Sequence, residues 1–345
     1  MDEYQRRVLT QFFEPPSKVS QASCHQFVLT HITPTLLPIA TDSIAVRPCP
    51  FQGSMSYTAI IDHCSTRDNH RTVVQFRTAK QDLSGVIEAS RIHGSIVPTV
   101  TYQGMYEMLF VYTSPFAEGM PYVNVVMSSQ DLNLPPEKVL LTATDLADLV
   151  TRGARANVAI SETVSQLSSS LDELSQTVNS YNFKSIALRN KISACISKLQ
   201  PRLQDVASLP IVLTHQDLSP YNYLIEEKTG RLQAVLDWHG SIYLPIGSNF
   251  HFMESIFGSM TITGWKDATD RHKLELAFYD RVLERLSIQG HRGITKEQLE
   301  LQKAIGSLVY GMGRLLELKN EWSERYLDVY LRGLSFMKDD VDPLG

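Results

Sequence analysis

The sequence predicts an α+β protein of two lobes, a small β-rich N-terminal lobe and a larger, mainly helical C-terminal lobe, over 345 residues. Three observations carry that expectation. The first 125 residues read mostly as short strands bounded by turns. From about residue 142 the apolar residues recur at helical spacing. Between them in character, residues 213–247 set polar side chains among short apolar strands.

In the first stretch, strands are expected over 44–46 and 56–62, flanking a turn at Gln52-Gly53-Ser54, and then over 72–77 after a polar turn. Leu83, Val86, Ile87 and Ile92 fall near helical spacing, which predicts a helix over 80–93 that stops at Gly94. Two further strands are expected over 97–102 and 107–113, followed by a connecting segment over 112–119. The lobes are thus 1–113 and 114–345. In the second stretch, helices are expected over 144–150, 158–178 and 183–203. Strands over 211–214, 223–226 and 232–236 follow, the last two joined by a turn at Gly230. Beyond Phe250 nearly everything reads as helix, in segments near 272–287, 296–319 and 322–336. Gly311 and Gly313 mark close helix packing or a break.

Composition excludes several classes of protein. A hydrophobic content of 43% with 20% charged residues belongs to an ordinary globular chain. The net charge of −5 argues against nucleic acid as the main partner, because phosphate-backbone binders display a basic face. No window approaches the run of about 18 apolar residues that a membrane span requires, and the N-terminus, with Asp2, Glu3, Arg6 and Arg7, lacks the apolar core of a signal peptide. Cys24, Cys49, Cys64 and Cys195 show no metal-site spacing and read as reduced thiols. The expected location is the cytoplasm, with no membrane partner; oligomeric state is not legible in one chain.

The chemistry concentrates in His215-Gln216-Asp217-Leu218, with Asn222 five residues after the aspartate and Asp237 twenty residues after it. Phosphoryl transfer from ATP asks little of a protein beyond a carboxylate that accepts or orients the acceptor proton and oxygen ligands that hold magnesium against the phosphates. Asp217, Asn222 and Asp237 supply that set. Asp217 and Asn222 bracket one loop, and the Gly230 hairpin returns Asp237 beside Asn222, where both side chains offer oxygen to a hard cation. His215 is expected to brace the loop by hydrogen bonds.

These segments resemble the aminoglycoside phosphotransferase and choline kinase family, which carries a His-x-Asp loop, an Asn five residues on, and a later Asp-Trp pair. The chain reads His215-Gln216-Asp217 through Asn222 and then Leu236-Asp237-Trp238, with Pro245 and Gly247 beyond. The resemblance implies a protein-kinase-like fold, ATP and Mg2+ as cofactors, a small-molecule acceptor, Asp217 as catalytic base, and Asn222 and Asp237 as magnesium ligands. ATP is then expected in the cleft between the lobes. Gly53, Ser54 and Ser56 are similar to the turn that covers the nucleotide, or form an ordinary polar turn. The strand 72–77 is similar to the family's third strand, Val97-Pro98 to the stretch after its helix, and Glu88 to the acidic partner of the strand's basic residue; Glu88 is otherwise a solvated charge.

One departure stands out. The phosphate-gripping Lys or Arg of the family falls on Gln75, which has no charge, while Arg77 lies two residues on, on the same face of the strand. Arg77 either supplies the missing cation or sits solvated at the strand end. His239 occupies a position where family members often carry Glu, and either tunes the substrate side or has no role. The reading is therefore an ATP-dependent phosphotransferase acting on a hydroxyl of a small molecule. The alternatives are a kinase-shaped binding protein without turnover, or an enzyme of this fold with altered chemistry on a small metabolite.

Overall fold

The computed structural model describes residues 3–14, 19–36, 43–53, 56–64, 69–129, 132, 134–261, 264–318 and 323–334. The chain separates into two compact units, Met1–Glu118 and Gly119–Gly345.

The first unit opens with helices that the strand-like reading of this region did not anticipate: α1 (Glu3–Phe13), α2 (Gln21–Phe27) and α3 (Thr33–Leu36), with a π-helical turn over Val28–Ile32. The physical reason is a buried stripe of Cys24, Val28 and Ile32 at i, i+4 spacing, with α2 started by a Ser20 cap that accepts from the Ser23 N–H. These helices cover an antiparallel sheet of β1 (Ser43–Pro48), β2 (Ser56–Cys64), β3 (Asn69–Arg77), β4 (Thr101–Tyr106) and β5 (Leu109–Pro115), in the order β1-β2-β3-β5-β4. Helix α4 (Ser84–His93) lies between β3 and β4 in sequence. One core unites Cys24, Val28 and Ile32 with Tyr57, Ala59, Ile61, Val74, Phe76 and Val111. Each large apolar side chain so buried contributes about 1.5–3 kcal/mol. Val74 and Phe76 point into this core, so the intervening residues Val73, Gln75 and Arg77 face the other way. Tyr112 belongs to β5 and not to a connecting segment; it is buried, and its hydroxyl accepts the Gln81 N–H at 2.8 Å.

The second unit begins with β6 (Met120–Pro121), α5 (Tyr122–Ser128), α6 (Pro136–Thr151), α7 (Ile160–Ser180), α8 (Ile186–Leu199) and α9 (Leu203–Ala207). Helix α7 buries Leu167, Leu171 and Leu174 of the apolar positions 160, 164, 167, 171 and 174 that set its period, and Val178 beyond them, while Ile160 at its start is exposed and none of its serines is fully buried. Strands β7 (Ile211–Thr214), β8 (Tyr223–Ile225), β9 (Leu232–Val235) and β10 (Ile242–Pro245) follow. β10 pairs antiparallel with β7, and β8 pairs with β6 and β9. The region after Phe250 is less uniformly helical than expected. After α10 (Glu254–Phe257) it contains a hairpin, β11 (Gly258–Thr261) with β12 (Gly264–Asp267). Helices α11 (Arg271–Ile288), α12 (Lys296–Gly306), α13 (Gly313–Leu318) and α14 (Ser323–Arg332) complete it, with a π-helical turn over Ser307–Met312 interrupting the segment expected as helix over 296–319, at the glycines expected to mark close packing or a break. Among the described residues no helix is long and apolar enough to cross a membrane, and Cys24, Cys49 and Cys195 are free thiols.

Two contacts fix how this unit's helices seat against its loops. Glu254, 3% exposed, accepts from Lys303 Nζ at 2.6 Å and from Arg271 Nη2 at 2.7 Å. Burial alone would raise the Glu254 pKa, but the two cations outweigh it and hold the carboxyl below its ordinary value. The second is Gly306, where an added Cβ would sit 1.8 Å from the Ser248 carbonyl oxygen. Gly306→Ala should therefore destabilise the fold by about 1–3 kcal/mol or more through overpacking. Gly313→Ala, with open space around its Cβ, should be neutral or stabilising. Thermal unfolding of both variants checks this, and a Gly306→Ala midpoint equal to wild type would refute the close approach.

Candidate active site

The chain leaves β7 at His215, whose imidazole is 2% exposed and tied on both sides. Its Nδ1 accepts the Asp217 N–H at 3.0 Å, and its Nε2 donates to the Leu236 carbonyl at 2.7 Å. Because Nδ1 accepts, the proton sits on Nε2 and the ring is neutral. Burial lowers the His215 pKa below 6.5, which keeps it so. The Trp238 ring packs edge-on at 4.8 Å, and Asn249 Nδ2 reaches the His215 carbonyl at 3.4 Å. His215 thus braces the loop, as its position in the sequence implies. Asn249 is a support the sequence reading missed, since nothing in its neighbourhood marks it apart from an ordinary loop amide.

Asn222 closes the loop from its far end. Its Nδ2 donates to the Asp217 carbonyl at 2.8 Å, its backbone N–H to Ser219 at 2.9 Å, and its carbonyl accepts the Leu236 N–H at 2.7 Å. With the amide nitrogen committed to the loop, Oδ1 is the atom left to accept or to ligate. Asp217 is half-buried beside it, and Leu218 anchors the loop with 4% exposure.

Asp237 follows directly on Leu236 and is exposed, at φ +61°. A residue with a Cβ rarely takes that conformation, and such strain of about 1–3 kcal/mol persists only where the surroundings enforce it. Here the enforcement is Trp238, 2% exposed, whose Nε1 donates to the Val235 carbonyl at 3.1 Å and whose carbonyl accepts Ser241 Oγ at 2.8 Å. Sinking Trp238 into the core turns Asp237 outward. His239 Nδ1 then lies 2.6 Å from Asp237 Oδ1.

The structure thereby brings His215, Asp217, Asn222 and Asp237 onto two adjoining loops linked by backbone and side-chain hydrogen bonds. Asn222 Oδ1 and the Asp237 carboxylate are hard oxygen donors, of the type that divalent cations such as magnesium take. Among the described residues no group of three or more His, Cys, Asp or Glu is placed to hold a metal by protein ligands alone.

In the first unit, Gln75 Nε2 donates to Ser56 Oγ at 3.3 Å and Arg77 Nη1 to Gln75 Oε1 at 3.4 Å, so these three predicted residues meet. Gly53 precedes them, its carbonyl accepting the Ser56 N–H at 3.4 Å; Ser54 lies outside the described residues. The turn is pinned by Gln52, 6% exposed, which bonds the Cys49 and Thr58 backbones at 2.8 Å, a role hidden in sequence because a lone Gln reads as surface. Glu88 engages Arg91 on its own helix through two contacts at 2.8 and 2.9 Å.

The neutral His215 has a measurable signature. Between its lowered folded pKa and 6.5, the unfolded chain binds a proton that the folded chain does not, so acidification costs stability. Wild-type stability should fall as pH drops from about 7.5 to about 5.5, and His215→Asn should fall less steeply. Equal slopes in chemical denaturation would contradict a buried neutral imidazole.

No protein-family model matches this sequence, and no curated protein matches it in sequence. Solved structures do match its fold. A choline kinase from Cryptosporidium parvum aligns with a TM-score of 0.56 at 13% identity, covering 91% of this chain and 96% of that one. A Plasmodium vivax ethanolamine kinase aligns at 0.53 and 12%, covering 97% and 94%. A Ralstonia eutropha structure assigned to the aminoglycoside phosphotransferases aligns at 0.55 and 14%, covering 91% and 98%. With a β-sheet unit first and a mainly helical unit second, this chain has the protein-kinase-like fold shared by those small-molecule kinases.

Proposed function

We propose that this protein is a magnesium-dependent phosphotransferase that moves the γ-phosphoryl group of ATP to a hydroxyl of a small molecule. The observation that carries the reading is the pair of loops tied through His215 and Asn222, which gather Asp217, Asn222 and Asp237. In the proposed reaction, Asp217 orients the acceptor hydroxyl and takes its proton. The hydroxyl oxygen forms a bond to the γ-phosphorus as the bond to the β–γ bridging oxygen breaks, releasing ADP. Asn222 Oδ1 and the Asp237 carboxylate would hold Mg2+, whose contribution when bound is to neutralise charge on the phosphates.

The division of labour assigns nucleotide-covering residues to 1–113 and the catalytic loop and acceptor pocket to 114–345. Gly53, Ser54, Ser56, Gln75 and Arg77 are the nucleotide-side candidates. Arg77, held by Gln75, is the cation proposed to meet phosphate in place of the charge that Gln75 lacks. Glu88 is assigned to positioning Arg91 in the first instance, given their pairing. The proposed setting is the cytoplasm, in keeping with the free thiols.

One observation favours a second reading, a nucleotide-binding protein without turnover: the uncharged Gln75 at the place of the gripping cation. Asp217→Asn separates the two. With choline, ethanolamine and glucosamine offered as acceptors, wild-type ADP formation should exceed that of Asp217→Asn by about 10²–10⁴-fold, while MgATP affinity stays unchanged. Full activity in the variant would remove Asp217 as the base. MgATP binding without turnover of any acceptor in the wild type would favour the second reading.

A further inference from the structure

His239 is two residues past Asp237, yet its ring returns to meet that carboxylate: Nδ1 stands 2.6 Å from Oδ1. A carboxylate can only accept, so Nδ1 carries the proton and donates it. The return is made possible by local backbone geometry. Asp237 sits at φ +61° and Gly240 at φ +70°, and between them Trp238 is locked into the core by its bond to Val235. The chain is therefore fixed beneath Asp237, while the direction of its exposed carboxylate is set from above by the imidazole.

We propose that His239 is a positioning residue for a divalent cation. Its Nδ1–H engages Oδ1 of Asp237, so that Oδ2 is the oxygen presented to the ion of a metal–nucleotide complex. The inference rests on the reading of Asp237 as the cation's carboxylate ligand and adds the residue that aims it. Hydrogen-bonded partners of metal-ligating carboxylates affect metal affinity by about 10–100-fold, so the effect is within reach of measurement. The alternative use of the same ring, direct ligation through Nε2, requires the other nitrogen and is separable by side-chain length.

The test is binding of Mn2+ to the full chain in the presence of ADP, read from the electron paramagnetic resonance signal of the free ion. An Asn amide nitrogen occupies the place of His Nδ1, and a Gln amide nitrogen the place of Nε2. His239→Ala and His239→Gln should each weaken Mn2+ about 10–100-fold, and His239→Asn should keep most of the affinity. All three should melt with the wild type, since the His239 side chain is 47% exposed. Wild-type affinity in His239→Ala, or rescue by Gln and not by Asn, would overturn the positioning role while leaving Asp237 as ligand. Absence of Mn2+ binding in the wild type with ADP would instead remove Asp237 as a ligand, and the inference with it.

Discussion

A buried neutral histidine that spends both ring nitrogens on backbone is the contact on which the geometry of the site depends. His215 receives the N–H of Asp217 on one side and gives a proton to the carbonyl of Leu236 on the other. It thereby fixes Asp217, two residues on in the loop, and Leu236, the residue before Asp237, with one rigid ring. Charging the ring would convert Nδ1 from acceptor to donor, facing an N–H that is also a donor, around a ring only 2% exposed. The same burial that makes the ring hold its place lowers its pKa and favours the neutral form, so a chemical role for His215 as a proton carrier conflicts with its structural one.

The surrounding architecture serves to keep that ring and its two loops in place. Trp238 packs against the imidazole and sinks beneath Asp237, and the strain at Asp237 is the cost of turning its carboxylate outward while the indole goes inward. The paired β7 and β10 hold the start of the first loop and the end of the second, and the paired β8 and β9 hold the end of the first and the start of the second. Behind them, the seat of Gly306 on the Ser248 carbonyl and the bond from Gln302 to Ser248 Oγ bind α12 to the segment that carries Asn249. The ion group of Glu254, Lys303 and Arg271 extends the same support to α10, α11 and α12. A buried ion group adds little net stability compared with apolar residues, and removing one partner is costly, so it acts to specify this arrangement over others.

The candidate site was more legible in the sequence than the fold around it. The adjacency of His215, Asp217, Asn222 and Asp237 could be read because it is local: the four residues between Asp217 and Asn222 and a tight hairpin fix their neighbourhood whatever the rest of the chain does. Strand 211–214 was legible for the same reason, as a short apolar run ended by a polar loop. The N-terminal helices were not, because their apolar stripe is brief and mixed with Ser, Thr and His, which weigh as much toward strands and turns. The β11–β12 hairpin escaped notice because its strands are four residues each and bury little. Gly311 stands out in the sequence and does lie close to Tyr330 and His251, but the tightest contact belongs to Gly306, which no local pattern distinguishes. Close packing is a property of what arrives from elsewhere in the chain.

In the first unit, Ser56, Gln75 and Arg77 form a hydrogen-bonded row across β2 and β3, the consequence of an antiparallel register that sets Ser56 opposite Arg77. The row offers a guanidinium two residues from the place where the resemblance expects a cation. Whether the fold still handles nucleotide through the carboxylate at Asp237 is most directly decided by calorimetric titration of ATP, with and without Mg2+, into the wild type and Asp237→Ala. Binding that requires Mg2+ and is lost in the variant is the predicted result. ATP binding that is indifferent to both Mg2+ and Asp237, or no binding by either protein, would contradict the account.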